Sequence, residues 1–360
     1  MSLYTERMNR VRENLSEKGL AHTVISDLSS IYYLTGRMVY HVGERLLALY
    51  VPVQGRAVMY VNELFPIEPS DDFDIVYHKD GDVATKDMAR DLPGGKLGVD
   101  KFWQCQFLIQ LTEQRPDIVG VNGSFAVDEA RMRKDQAEKE AMRRASRIND
   151  QVFERIPSLI REGMTEIELG AQIGALFEKM GDPKAGASIP LVCFGANAAE
   201  PHHGNDQTVL KPGDAIIVDG GQCSFGYCSD MTRTYFFGSV SEEQKKVYDI
   251  VCEANRLARA AVKPGVTFAQ VDAAARDYIT AQGYGPYFTH RTGHGIGMTG
   301  HEYPFVCSDN DMPLESGMTF TIEPGIYLPG KFGVRIEDVV MVSGEGCETL
   351  NACSKKLTVI

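Results

Sequence analysis

The chain holds 360 residues, 43% of them hydrophobic, with a formal net charge of −12, which is length and apolar content enough for two domains with sizeable cores. It carries no block of like charge and no Lys/Arg stripe, so nucleic acid is not an expected partner, and the acidic balance reads as a self-repelling surface. No apolar run approaches the roughly 18 residues a membrane span needs, so no membrane partner is expected either.

The opening stretch, MSLYTERMNRVRENL, is charged and helical in pattern rather than a secretory signal. Residues 5–18 read as an amphipathic helix closed by Gly19. A short strand follows around 23–26, then the run Ile31-Tyr32-Tyr33-Leu34-Thr35-Gly36. Residues 46–53 and 57–61 flank a Gln54-Gly55 turn and read as a hairpin, with a further strand at 96–99. Trp103 reads as a core or interface residue, and His22, His41 and His78 as isolated histidines that are structural or exposed. No cluster of metal-ligand or nucleophile candidates falls in this part, and a first domain is expected over 1–125, with a second over 126–360.

Near 125 the texture changes. Residues 128–162 read as one long charged helical stretch leading into the second domain. Gly163-Met164-Thr165 then opens a helix with a capping box from Thr165 to Glu168, ending at Gly181 and followed by Pro183. A second copy opens at Gly265-Val266-Thr267, ends at Gly283 and is followed by Pro286.

The duplication extends beyond the helices into the strands. After Leu210-Lys-Pro-Gly213, the β-branched run Ile216-Ile217-Val218 ends on Asp219; after Leu314-Glu-Ser-Gly317, the run Thr319–Ile322 ends on Glu323. Each copy returns as a second strand carrying a second acid, Asp230 and Glu337. A first turn centred between Ser224 and Phe225 would set Asp219 opposite Asp230. A second turn near Gly330 would set Glu323 opposite Glu337. Opposed residues hold their Cβ atoms about 4.5–5.5 Å apart, and four facing carboxylates repel and desolvate one another. Two divalent ions would neutralise them, as in dinuclear sites. Two curved antiparallel sheets with helices outside would place all four acids in one cleft.

Five of the eight histidines lie between 202 and 301. His294 sits in the Gly-rich segment His290-Arg291-Thr292-Gly293-His294-Gly295-Ile296-Gly297, where a backbone free of side chains can pass close to a crowded site. That makes His294 a ligand candidate. Gly295–Gly300 also matches GxGxxG, but no apolar strand leads into it and no βαβ unit surrounds it, so a dinucleotide site is not expected. The eight cysteines, at 105, 193, 223, 228, 252, 307, 347 and 353, lack zinc-type CxxC spacing and read as reduced thiols in a cytoplasmic chain.

These motifs carry a resemblance. VDGG, GYCSDMTRT, HRTGHGIG, TIEPGIY and GVRIED, with Tyr33-Leu34-Thr35-Gly36 in the first domain, are similar to the pita-bread metallopeptidases of the Xaa-Pro dipeptidase (prolidase) and aminopeptidase P branch. The resemblance implies an α/β N-terminal domain and an α+β pita-bread C-terminal domain with a pseudo-two-fold duplication. It implies a dinuclear exopeptidase that hydrolyses the bond between an N-terminal residue and proline by attack of a metal-bridging hydroxide. The implied metal ligands are Asp219, Asp230, His294, Glu323 and Glu337. Asp230 and Glu337 would bridge two divalent ions, with Mn taken first among Mn, Co, Fe and Zn. Glu323 would also serve as general base and later acid. His202, His290 and His301 would act as catalytic and substrate-binding residues, with His203 adjacent to His202. Arg335 and Tyr327 would be substrate-binding or supporting positions. The implied partners are short proline-containing peptides and a second copy of the chain in a homodimer.

One departure bears on substrate length. Some dipeptidases of this family place an Arg just after the last His to clamp the substrate carboxylate. Here Glu302-Tyr303-Pro304-Phe305-Val306 follows His301, which leaves dipeptides and longer peptides both open. Two further readings stay open on the same fold: a hydrolase or lyase of a small non-peptide molecule, and a binding protein without catalysis.

Overall fold

The computed structural model describes residues 2–39, 41–182, 185, 188–344 and 346–360; the expected Pro183 lies outside them. The chain divides into two compact units, Met1–Arg131 and Met132–Ile360, so the division falls somewhat beyond the 125/126 boundary expected from composition.

In the first unit, helices α1 (Leu3–Glu17), α2 (Leu28–Thr35), α3 (Lys86–Asp91), α4 (Cys105–Gln114) and α5 (Phe125–Met132) accompany strands β1 (His22–Ile25), β2 (Leu47–Pro52), β3 (Ala57–Asn62), β4 (Phe73–His78), β5 (Gly95–Val99) and β6 (Ile118–Asn122). The strands form one sheet in the order β4-β3-β2-β1-β5-β6. Pairs β1–β2 and β2–β3 are antiparallel, and the other neighbours are parallel. The run from Ile31 to Thr35 belongs to α2. Asp27 accepts from the Ser30 N–H at its start, and Gly36 closes it at φ 67°, a left-handed turn that costs glycine little. Val24, Ala48, Tyr60, Leu97 and Leu111 lie in this unit's core.

The second unit repeats one plan. Its first half runs α6 (Gln136–Phe153), α7 (Glu166–Met180), β7 (Leu191–Phe194), β8 (Ala215–Asp219), β9 (Cys223–Ser224), β10 (Tyr227–Cys228) and β11 (Thr232–Phe236). Its second half runs α8 (Glu242–Ala261), α9 (Phe268–Ala281), β12 (Gly293–Gly295), β13 (Glu302–Val306), β14 (Thr319–Ile322), β15 (Gly325–Leu328), β16 (Phe332–Arg335), β17 (Asp338–Val342) and β18 (Cys347–Thr349). All four helices start on a capping box: Asp135 with Glu138, Thr165 with Glu168, Ser241 with Gln244, and Thr267 with Gln270. The first of these corrects the single long helix expected over 128–162. Asp135 caps a new helix, so the charged stretch is cut into α5 and α6. Behind the first sheet (order β11-β8-β7), Phe153, Ile173 and Phe177 pack on Val192, Ile216 and Val218. Behind the second sheet (order β13-β12-β14-β17-β18), Val251, Phe268 and Val271 pack on Phe320, Ile322 and Val340. Among the described residues, no helix is long and apolar enough to cross a membrane.

Candidate metal centre

The acids stand where apolar strands end. Val218, at the end of β8, is fully buried, and Asp219 follows it into a cavity of about 350 Å³ lined also by His202, Asp230, His290, Arg291, His294, His301, Glu323, Arg335 and Glu337. All five residues expected to bind metal thus come to one cavity. The register differs from expectation in the first hairpin. Asp219 pairs with Thr232, not Asp230, because Phe225 (φ 57°) and Gly226 (φ 81°) form the turn. Two left-handed residues in succession make the tight turn that suits strand twist, and they centre it one residue later. Asp230 therefore lies off the ladder, where its Oδ1 accepts from the Met231 N–H. In the second copy the centre falls at Gly330: Leu328 pairs with Phe332 and Gly325 with Arg335, while Ile322 pairs with Asp338. Glu323 and Glu337 sit between those two ladders.

The same turn sets Cys223 directly opposite Cys228, and the two are joined by a disulfide. This corrects the expectation that every thiol is reduced. Cys105, Cys193, Cys252, Cys307, Cys347 and Cys353 are free.

Donors converge closely. Ligand atoms of Asp230, His294 and Glu337 all lie within 4.8 Å of one another. His294 Nε2 stands 3.4 Å from Glu323 Oε1 and 3.8 Å from Asp230 Oδ2. Its Nδ1 is 3.0 Å from the Gly295 carbonyl, which can only accept, so Nδ1 carries the proton and Nε2 offers its lone pair to the acids. Gly293 is required here, since a Cβ would collide with the Thr321 carbonyl oxygen. Hydroxyl groups hold two of the carboxylates: Thr232 Oγ1 donates to Glu337 at 2.6 Å and Thr321 Oγ1 to Glu323 at 3.2 Å. Neither threonine was singled out in the sequence.

Burial and like charge strain the acids. Desolvation first, then Asp219 and Glu323, push Asp230 well above the usual carboxylate range. Glu337 is pushed well up by desolvation, then by Asp230, Glu323 and Asp219. Desolvation, then Asp219, raises Glu323 to about 7 against the pull of Arg335. His294 is held down to about 3 by desolvation and by His301, which stacks on it with ring centroids 3.7 Å apart. The buried guanidinium of this cavity, Arg335, spends its charge on Asp219, 2.6 Å away. Three acids and a neutral imidazole lone pair are left facing one space. This hard-oxygen set with one nitrogen fits divalent Mn, Co, Fe or Zn.

The remaining expected residues border the same space. Arg335 Nη1 donates to Tyr327 Oη at 2.8 Å, and Tyr327 Oη lies 2.8 Å from His290 Nε2. His290 Nδ1 donates to the Arg291 carbonyl at 2.7 Å, so Nε2 accepts the tyrosine proton and both ring nitrogens are engaged. Desolvation, then Arg335, holds His290 to about 4. Arg291 was not singled out, although it lies inside the quoted HRTGHGIG motif. Its Nη2 is 3.1 Å from His301 Nδ1, and its guanidinium stacks 4.1 Å from the Phe305 ring centroid. Donation to Nδ1 leaves the His301 proton on Nε2. His202 joins this cavity to a second of about 590 Å³, lined also by Pro286, Tyr287, His290, Tyr327 and Pro329. His203 stands apart from the metal centre, against Glu166 and Asp206. The GxGxxG at 295–300 runs from β12 towards β13 rather than into a helix.

Residues 140–344 match metallopeptidase family M24, and residues 7–133 match the creatinase/prolidase N-terminal domain. The chain belongs to metallopeptidase family M24. Among solved structures it is similar to dipeptidase PepE from Mycobacterium ulcerans, at 35% identity and a TM-score of 0.93, with 99% of this chain and 98% of that one covered. It is similar also to a prolidase from Thermococcus sibiricus, at 34% identity and a TM-score of 0.89, with 100% of both chains covered. A third is the Xaa-Pro dipeptidase from Bacillus anthracis, at 31% identity and a TM-score of 0.87, with 99% of this chain and 100% of that one covered.

Proposed function

We propose that this chain is an exopeptidase cleaving the bond between an N-terminal residue and proline. We further propose that Asp219, Asp230, His294, Glu323 and Glu337 hold two divalent ions, Mn first among the candidates, with Asp230 and Glu337 shared between them. The observation that carries this reading is the convergence of four buried or half-buried carboxylates and one imidazole lone pair on a single cavity, with the Arg335 guanidinium directly paired with Asp219 alone among them. Bound ions would polarise the scissile carbonyl and acidify water.

The chain's own groups supply the rest. Glu323 takes the proton of the attacking water and returns it to the leaving proline nitrogen. His301 donates from Nε2 to the carbonyl oxygen as charge develops there. His202 binds substrate where the two cavities meet. His290 and Tyr327, whose polar atoms bond each other and Arg335, shape the wall of the cleft against the substrate and hold Arg335 against Asp219. A bond to proline has no N–H, so no acceptor is needed for it.

Arg291 bears on the open question of length. Among the described residues it has no carboxylate partner within 4 Å, and Phe305 holds its planar fork in the cavity. A planar guanidinium so placed suits the free carboxylate of a dipeptide, and this weighs the reading towards dipeptides. The named dipeptidases and prolidase among its relatives support the same substrate class. A cytoplasmic location is part of the proposal, supported by the six free cysteines and opposed by the Cys223–Cys228 disulfide, as is a homodimer, to be read by light scattering. The test is a panel of Xaa-Pro, Xaa-Pro-Xaa, Xaa-Ala and N-acetylated Xaa-Pro-Xaa. Cleavage is expected for Xaa-Pro first, and comparable turnover of Xaa-Ala or of the acetylated peptide removes the proline and N-terminus assignments.

A further inference from the structure

Glu166, the first residue of α7, is fully buried. At the matching place in the second copy, directly after the capping threonine, stands Phe268, also fully buried. The fold thus accepts an apolar side chain where the first copy keeps a carboxylate. Glu166 Oε1 accepts from Phe194 N at 2.7 Å and Asn197 Nδ2 at 3.0 Å, and Oε2 accepts from Asp206 N at 3.0 Å. Two side chains meet it. His203 Nε2 lies 3.3 Å from Glu166 Oε2 and 3.4 Å from Asp206 Oδ2. That nitrogen is shut off from solvent and makes no hydrogen bond to either carboxylate.

We infer that Glu166, His203 and Asp206 form a further divalent-cation site, separate from the five-residue centre and suited to zinc. Three observations carry the inference together. Zinc sits about 2.0–2.2 Å from nitrogen and oxygen donors in tetrahedral geometry, which holds neighbouring donors roughly 3.3–3.4 Å apart, matching both distances at His203. Nε2, between these two oxygens, has no hydrogen-bond partner of its own, while Nδ1 faces the largely exposed Glu200 only at 3.7 Å. Charge agrees as well. Glu166 and Asp206 with a neutral imidazole are balanced by one dication, the nearby Glu200 carboxylate being largely exposed to solvent. Among the described residues no Lys or Arg pairs with these three.

The site has a consequence for the cleft. His203 follows His202, so an ion held here fixes the segment 200–206 and with it a side chain that lines both cavities. The consequence for turnover rests on the peptidase reading; the binding itself does not. Full-length protein stripped by chelator is back-titrated with Zn²⁺, and zinc per chain is measured by mass spectrometry for the parent, Asp206→Asn, His203→Gln, Asp230→Asn and the pair Asp230→Asn with His203→Gln. Asp206→Asn and His203→Gln are each expected to lose one equivalent, and the paired variant to hold one fewer than Asp230→Asn. The same two single variants should raise KM for an Xaa-Pro dipeptide while leaving kcat in place. Parent-level zinc in Asp206→Asn, which leaves the bonds of Glu166 to Phe194 and Asn197 intact, overturns the proposal even where His203→Gln fails to fold. If the five-residue centre is misread, Asp230→Asn holds as much zinc as the parent while His203→Gln still loses one equivalent.

Discussion

At the scale of single residues, the account turns on which side chains share a charge and which are left to meet a ligand. Arg335 is committed to Asp219 at 2.6 Å, while Arg291 is stacked on Phe305 with its charge unspent. Arg291→Ala should therefore lower kcat/KM for an Xaa-Pro dipeptide by roughly 10- to 100-fold, the loss of one charge-assisted contact. The corresponding amide, which lacks the carboxylate, should lose clearly less, the loss left there reporting the bond from Arg291 to His301. Equal losses on both substrates would remove the carboxylate assignment. Asp230 and Glu337 lie with His294 inside one 4.8 Å cluster, whereas Asp219 already has Arg335. Asp230→Asn and Glu337→Gln should accordingly lose more metal than Asp219→Asn, read as metal per chain, and equal loss would argue against sharing of those two acids. The sequence made the acids visible because Asp219 and Glu323 close apolar strands while Asp230 and Glu337 lead into the returning ones. It hid Arg291, because this residue lies within the motif that carries His294 rather than after His301.

At the scale of elements, duplication was legible because capping boxes and strand-end acids recur at matched spacing. The first hairpin's register was not, because it depends on Phe225 adopting φ 57°. Nothing in a bulky aromatic announces a left-handed backbone, and a turn centred one residue later moves the partner of Asp219 by two, from Asp230 to Thr232. The Cys223–Cys228 pairing was missed for the same reason, since it depends on that register. The break between α5 and α6 was readable in principle from the Asp135-to-Glu138 spacing, but it was masked by the charge of the surrounding helices. Close approach of backbones gives a prediction at this scale. Gly293→Ala would drive a Cβ into the Thr321 carbonyl on the neighbouring strand and displace His294, while the packed helix pairs behind the sheets stay in place. The variant should keep its far-ultraviolet circular dichroism and lose bound metal; full metal retention would show that the β12 backbone has more room than this packing allows.

At the scale of the whole molecule, the buried acids tie folding to metal and to pH. Glu323 is raised from 4.5 to about 7, and Asp230 and Glu337 move the same way. Between those values the folded chain keeps protons that the unfolded chain has released, so stability present below about pH 4.5 is lost as pH rises through about 7. His290 and His294, held to about 4 and about 3, act the other way below their unfolded value of 6.5, so metal-stripped protein should show a melting temperature that falls clearly only between about pH 6.5 and about pH 7.5. Saturating Mn²⁺ should remove most of that fall, because bound cations favour the ionised carboxylates. A flat profile for the stripped protein would mean that the acids are not confronting one another as described. The central claim, a peptidase whose four facing carboxylates work around cations, is tested most directly by the release of proline from an Xaa-Pro dipeptide. The assay uses chelator-stripped protein before and after Mn²⁺ or Co²⁺ is returned. The account predicts no release from the stripped protein and recovery on metal addition; undiminished release from protein shown to be metal-free would contradict it.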